Sequence, residues 1–349
     1  MTNLNSNEMV LAGDIGGTKT NLAFYSKGKT RPVLKVMETF SSRNAPTLEG
    51  IIERFIKRHA LSFSRACFAI AGPVINKRCK TTNLPWDVSE AQITQRFGRP
   101  ARLINDLAAT GVGIPLLYTR ELHPLNRAKA RKGHTIALVA PGTGLGTSTL
   151  TYHDGNYISI ASEGGHVDFS PTNEDQVLLW RYLYQRYGHV SIERVVSGVG
   201  FLNIFSCLRK TGDYEIPEWL SRDLVEKDPG EVITGAALDK GVPICQKILS
   251  IFTSVLGSVA GNMALTVLAT GGVYLGGGIP PKILPALSDG VFMDAFTYKG
   301  RFKDLLENIP VKVILNDKTA LLGAARWGLE GDLEVSQIIC RRRKTAPSP

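Results

Sequence analysis

The feature that most constrains this chain is a pattern that occurs twice: an apolar strand, a short glycine-rich turn and a second apolar strand. The first copy runs from Met9–Ala12 through Gly13-Asp14-Ile15-Gly16-Gly17-Thr18 into Thr20–Tyr25. The second runs from His134–Ala140 through Pro141-Gly142-Thr143-Gly144-Leu145-Gly146-Thr147 into Ser148–Tyr152. A strand, not a helix, follows each turn. That context argues against a Walker A loop, which Thr18 already fails by standing where its second glycine belongs, and against a dinucleotide fold. Each copy opens a mixed α/β segment. The pattern therefore predicts a duplicated architecture, two related α/β domains across a cleft with both turns at its floor.

Between the two copies, the pattern predicts a strand at Val33–Phe40, an amphipathic helix over Leu48–Ala60 and a strand at Arg65–Ala71. A hairpin arm at Cys79–Thr82, a helix from an N-cap at Ser89 to Phe97, and a strand at Ala101–Ile104 follow. Thr119–Lys132 reads as a polar loop. After the second copy, helices are predicted at Glu174–Tyr187, Gly198–Lys210 and Pro229–Lys240. A third strand–glycine unit spans Gly272–Pro280, with a late strand at Val311–Leu315 and a late helix at Thr319–Leu329.

The stretch from Ile248 to Pro281 holds no charged residue and is long enough to cross a bilayer. Its apolar residues Ile248, Ile251, Phe252, Val255, Val259, Met263 and Val267 recur at helical spacing, with Ser, Gly and Asn largely between them. That is the pattern of a buried core helix closely packed through small residues, followed by a strand at Gly272–Leu275.

Charge and cysteine narrow the function classes. The net charge is +10, and two clusters hold most of the excess: Arg127, Lys129, Arg131 and Lys132, then Arg341, Arg342, Arg343 and Lys344. Both fall in predicted loop or tail without interleaved aromatics or a recognition-helix pattern, so no nucleic-acid partner is expected. The five cysteines are scattered without zinc spacing. With no secretory pattern at the start and no membrane segment expected, the reading is a cytoplasmic protein with reduced thiols.

Glycines let a backbone approach phosphate closely, and successive N–H groups form an anion nest. Gly16, Gly17 and Thr18 in the first turn, and Gly142, Thr143 and Gly144 in the second, are candidates for such contacts. Asp14 beside the first suits a carboxylate that positions hydrated Mg²⁺ through water. An ordinary hairpin turn uses the same residue types, and one such turn alone decides nothing. Gly276-Gly277-Gly278-Ile279-Pro280 ends a strand and opens a helix, and fits either a flat purine against the backbone or a tight strand–helix turn. Asn105-Asp106 stands at a strand end before an Ala-rich helix, where Asp106 serves either as an N-cap or as a base accepting a hydroxyl proton beside Asn105. Glu163 and His166 in Glu163-Gly164-Gly165-His166 lack a third metal ligand of matching spacing, and suit a polyol better. Glu193 is a further polar candidate, although a lone Glu by itself reads as a surface residue.

At these residues the chain resembles the bacterial glucokinases of the hexokinase–actin ATPase superfamily, in the group without the zinc-binding cysteines of the ROK branch. The resemblance runs from Leu11 to about Trp327. It rests on DIGGTKTNLAF (14–24), TNLPW (82–86), IND (104–106), APGTGLG (140–146), EGGHVDF (163–169), ERVVSG (193–198) and GGGIP (276–280), in that order. It implies a two-domain actin-like ATPase fold of ribonuclease H-like type with a central cleft. The boundaries expected are a small domain over 1–115 plus 317–349 and a large domain over 116–316. It also implies ATP and Mg²⁺ as cofactors, glucose as the hexose, Asp106 as general base, and Asn105, Glu163, His166 and Glu193 on sugar hydroxyls. The first two glycine turns would hold the ATP phosphates and the third would lie near adenosine. By the same analogy the chain would form a homodimer. A kinase for mannose, fructose or glucosamine, and a sugar sensor without turnover, are the alternatives.

Overall fold

The structure, a computed structural model, describes residues 9–81 and 84–330. Thr82 and Asn83 of the TNLPW motif, Cys340 and the 341–344 basic cluster lie outside the described residues. The chain begins with β1 (Met9–Ile15), β2 (Lys19–Ser26), β3 (Val33–Ser41), α1 (Leu48–His59), β4 (Arg65–Ile70), β5 (Arg78–Lys80), β6 (Asp87–Ser89), α2 (Glu90–Phe97), β7 (Ala101–Asn105) and α3 (Asp106–Gly113). It continues with β8 (Leu122–Pro124), β9 (Ile136–Pro141), β10 (Leu145–His153), β11 (Asn156–Ser162), α4 (Glu174–Tyr187), α5 (Gly198–Thr211), α6 (Glu218–Glu226) and α7 (Pro229–Leu238). Then come α8 (Pro243–Thr266), β12 (Gly272–Leu275), α9 (Leu284–Leu287), α10 (Val291–Thr297), α11 (Lys303–Glu307), β13 (Val311–Ile314) and α12 (Thr319–Glu330).

The described residues divide into two units, one within Met1–Tyr118, Tyr152–Ala161 and Asn316–Pro349, the other within Thr119–Thr151 and Ser162–Leu315. The first carries a sheet of order β3-β2-β1-β4-β7. Its β1–β2 and β2–β3 pairs are antiparallel, whereas β1–β4 and β4–β7 are parallel. The other sheet has the order β11-β10-β9-β12-β13-β8. Here β9 pairs antiparallel with β10, and parallel with β12, which pairs parallel with β13. The two sheets thus repeat one plan, a glycine hairpin whose first strand leads two parallel neighbours.

Parallel strands must be covered on both faces. In the first unit Leu11, Ile15, Leu22, Phe24, Phe68 and Ile70 pack with Leu48, Ile51, Ile52 and Phe55 of α1. The opposite face is built from small side chains, Ala12, Ala23, Cys67 and Ala69, packed with α3 and α12. Those helices pack backbone to backbone: a Cβ on Gly323 would strike the Ala109 carbonyl, and one on Gly113 the Thr319 carbonyl. By strand alternation Asp14 shares this small-residue face with Ala12, at the end of β1.

The uncharged stretch forms α8, with 72% of its most apolar window buried. It is the central helix of the second unit's core. Its Gly257 and Gly261 leave no room for a Cβ against the carbonyls of Phe292 and Phe296 in α10.

Four local expectations change. Thr119–Lys132 is not all loop, because Leu122–Pro124 pairs antiparallel with β13 as an edge strand. Three residues are too few for a period to show. The strand β11 was not predicted, although Asp154-Gly155 is a hairpin signal. Ser89 occupies the N-cap of α2 without a side-chain cap bond. Pro280 opens a 3₁₀ turn, Pro280–Ile283, before the four-residue α9.

Candidate active site

In the first unit, β1, β4 and β7 run parallel and end together, with Ile15, Ile70 and Asn105 in register. Asp14 and Asp106 therefore stand at one end of the sheet, separated by two strand spacings, about 10 Å, across it. Asn105, not Asp106, caps α3: its Oδ1 accepts from the N–H groups of Leu107 (3.0 Å) and Ala108 (3.1 Å). Asn105 Nδ2 donates to the Gly72 carbonyl at 3.2 Å, and the Asn105 side chain also hydrogen-bonds Asp106. With the cap assigned to its neighbour, the half-buried Asp106 accepts the Leu107 N–H at 2.9 Å. Burial pushes its pKa up to about 6 and the Asp14 charge adds to the rise, while hydrogen bonds from the Leu107 N–H and the Asn105 side chain oppose it.

Asp14 is held from the side by Asn21, whose Nδ2 donates at 3.4 Å while its Oδ1 accepts from Thr39 at 2.8 Å. Burial raises the Asp14 pKa, against the Asn21 bond and Lys318, with Asp317 adding to the rise. Two partly desolvated carboxylates, with the charge of Asp14 raising the pKa of Asp106, suit a hydrated divalent cation, which would relieve both burial and repulsion. In the adjacent turn the Gly16 N–H is engaged by the Lys19 carbonyl at 2.9 Å, and Thr18 is exposed at the tip.

In the second unit, the 142–144 turn joins β9 to β10. Gly142 N–H bonds the Gly144 carbonyl, and the Gly142 carbonyl accepts from Gly198 at the start of α5, both at 2.8 Å. Glu193 reaches this turn: its Oε2 accepts the Leu145 N–H at 2.8 Å. A Cβ on Gly144 would collide with the same carboxylate oxygen. Glu163 and His166 are exposed on a 3₁₀ turn, with Gly165 between them pressed against the Leu145 carbonyl. That loop is tied to the Glu193 segment by Ile192 N–H to Val167 O (3.0 Å) and Phe169 N–H to Val190 O (2.9 Å). Leu145 thus contacts both segments, so Glu163, His166 and Glu193 gather around the second glycine turn.

The third glycine unit lies beside the second. Gly277 has φ +78°, and a Cβ there would strike the Pro141 carbonyl, so only glycine fits. Gly276 N–H bonds Val139 O at 2.9 Å. Gly142, Thr143 and Gly278 line a cavity of about 220 Å³ together with Gly198 and Phe201 of α5. Its remaining wall, Asp228, Gly230, Glu231 and Thr234 facing Ile279, Lys282 and Ile283, was not among the predicted site residues. The Asp228-Pro229 helix start was legible, but nothing in it signals a ligand. Asp228 caps α7 by accepting the Glu231 N–H at 3.0 Å, and Lys282 pairs with Glu231 at 2.8 Å on the exposed rim.

The glucokinase family model matches residues 11–330. A glucokinase of Nostoc punctiforme is 40% identical over 333 residues, covering 91% of this chain and 98% of that protein. One of Cronobacter sakazakii is 36% identical over 315 residues, covering 90% and 95%. A solved glucokinase from an Antarctic psychrotroph has a TM-score of 0.83 at 27% identity, covering 93% of this chain and 99% of that one. A ROK family glucokinase from Streptomyces griseus, in complex with glucose and AMPPNP, reaches 0.60 at 19% identity over 93% and 100%, a likeness of fold alone. The chain has the actin-like ATPase fold and belongs to the glucokinase family.

Proposed function

We propose that this protein transfers the γ-phosphoryl group of ATP to the 6-hydroxyl of glucose, with Asp106 as general base. The observation that carries the assignment is the state of Asp106. It is released from capping duty by Asn105, stands at the carboxyl end of β7, and is desolvated to a pKa of about 6. At neutral pH it is mostly ionised, yet more basic than an ordinary carboxylate.

The hydroxyl oxygen attacks phosphorus as the bond to the bridging oxygen of ADP breaks, and the hydroxyl proton passes to Asp106. Asn105, Glu163, His166 and Glu193 bind the sugar hydroxyls. Holding the hydroxyl in place makes the attack effectively intramolecular. The turns at 16–18 and 142–144 take the phosphates, and the cavity beside Gly278 takes the adenosine. Asp14 is the residue that would hold Mg²⁺, through water. When bound, Mg²⁺ offsets the negative charge of the phosphates. A cytoplasmic homodimer completes the proposal, on the strength of the family alone.

The test is ADP formation by the purified protein with Mg-ATP and a panel of glucose, mannose, fructose and glucosamine against a no-sugar control. The highest kcat/KM with glucose supports the proposal. A different winner keeps the chemistry and changes the substrate. Glucose binding without turnover makes the protein a sugar sensor and removes Asp106 from its role.

A further inference from the structure

Ser42, the first residue after β3, is fully buried and touches the first glycine turn through its side chain and its backbone. Its Oγ donates to the Gly16 carbonyl at 2.8 Å, and its N–H donates to the Thr18 carbonyl at 2.9 Å. Its Oγ also lies 2.9 Å from Thr20 Oγ1, itself fully buried. A serine hydroxyl carries one hydrogen. That hydrogen is on the Gly16 carbonyl, so Thr20 donates into Ser42 and the chain runs Thr20 to Ser42 to Gly16.

A trans peptide unit is planar, with its N–H opposite its C=O. Holding the Gly16 carbonyl toward the buried Ser42 aims the Gly17 N–H the other way. Holding the Thr18 carbonyl does the same for the Lys19 N–H. The side away from Ser42 is the exposed one, where Thr18 and Lys19 reach solvent. N–H groups fixed in that direction form the anion nest that a glycine turn otherwise adopts only part of the time.

We propose that Ser42 is a positioning residue for the phosphoryl donor, presetting the first glycine turn for ATP phosphate. The inference rests on the reading of that turn as a phosphate site. Nothing in the sequence marks Ser42, which follows Ser41 in a serine pair beyond any motif.

The test compares steady-state kinetics and calorimetric binding of ADP for wild type, Ser42→Ala and Thr20→Val. Loss of the hydroxyl in Ser42→Ala raises KM for ATP and weakens ADP binding roughly 3- to 10-fold, the scale of one hydrogen bond. KM for glucose stays within about twofold. Thr20→Val also loses a buried hydrogen bond and lowers the melting temperature, but it keeps the Ser42–Gly16 contact. It therefore shifts KM for ATP less than Ser42→Ala does. If Ser42→Ala does not fold, Ser42→Cys carries the test: the thiol is a poor donor of similar size, and KM for ATP rises in the same direction.

Wild-type values for ATP and ADP in Ser42→Ala or Ser42→Cys overturn the inference while the kinase reading stands. Equal shifts for ATP and glucose in both the Ser42 and Thr20 variants overturn it as well, because they mark general damage. A wild type without sugar-dependent turnover and without ADP binding overturns the kinase reading, and this inference with it.

Discussion

The two glycine turns occupy the same place in two sheets of the same plan, yet they are braced by different chemistry. The first is held by neutral groups, the hydroxyls of Ser42 and Thr20 and the Ser42 N–H. The second is held by the Gly198 N–H at the start of α5 and by the Glu193 carboxylate on Leu145 N–H. A charged brace makes the stronger hydrogen bond. Beside the first turn it would be a further negative charge near Asp14 and Asp106, whose pKa values are already raised. The neutral brace keeps the proposed base usable, whereas the second turn tolerates a carboxylate that is also proposed to bind the sugar. On the proposed roles, one scaffold carries a reacting half and a recognising half.

The sharpest way to break this comparison is Asp106→Asn. It is expected to lower kcat roughly 10²–10⁴-fold with little change in KM for glucose, the scale of general base help. The stability effect has the opposite sign. The folded-state pKa of about 6 exceeds the usual 3.8, so the neutral carboxyl favours folding below pH 3.8 and that contribution is lost as pH rises through 6. The withheld stability at pH 7 is at most about 3 kcal/mol. Asp106→Asn should therefore melt higher than wild type at pH 7, with the gain vanishing below about pH 4. The same pKa predicts that wild-type kcat/KM for glucose falls on an acid limb centred at about 6. An acid limb near 4 together with an unchanged melting temperature in the variant would remove Asp106 from the reacting half.

Glu193 tests the recognising half at the next scale. If it only touches sugar, its variants move KM for glucose alone. As a brace it must also move ATP. Glu193→Ala leaves the Leu145 N–H without its charged acceptor, and about 10- to 100-fold is expected in KM for ATP as well as for glucose. Glu193→Gln keeps an oxygen acceptor at the same reach, so KM for ATP should stay within about threefold while KM for glucose still rises. Kinetics with each substrate varied at saturation of the other separate these outcomes.

How much of this was legible follows from range. The strands beside the glycine turns announce themselves by apolar runs ending in glycine, and α8 by its period, because both signals are local. Asp106 was legible as a candidate, but whether it or Asn105 occupied the N-cap of α3 depended on the Asn105 rotamer, which only the structure supplies. Glu193 bracing Leu145 joins residues 48 positions apart, and the Ser42 hold on Gly16 joins residues 26 apart. No spacing rule reaches that far. The α7 wall of the cavity is unreadable for another reason: Asp228, Gly230 and Thr234 are ordinary helix-start residues until the fold sets them opposite Gly278.

The smallest predicted effect sits on that wall. Lys282 and Glu231 pair at 2.8 Å with side chains 58% and 64% exposed, so the pair contributes at most about 1 kcal/mol and weakens with salt. Lys282→Met keeps the apolar stem that lines the cavity and removes only the charge. KM for ATP should change less than about threefold, and raising ionic strength should narrow the gap between variant and wild type. A loss of tenfold or more would mean that Lys282 leaves Glu231 for the nucleotide's phosphates. The recognising half would then carry a charged clamp on ATP as well as a charged brace on its turn. The contrast with the neutral first turn would deepen, and Glu231, left without its partner, would become the group that controls when Lys282 is released.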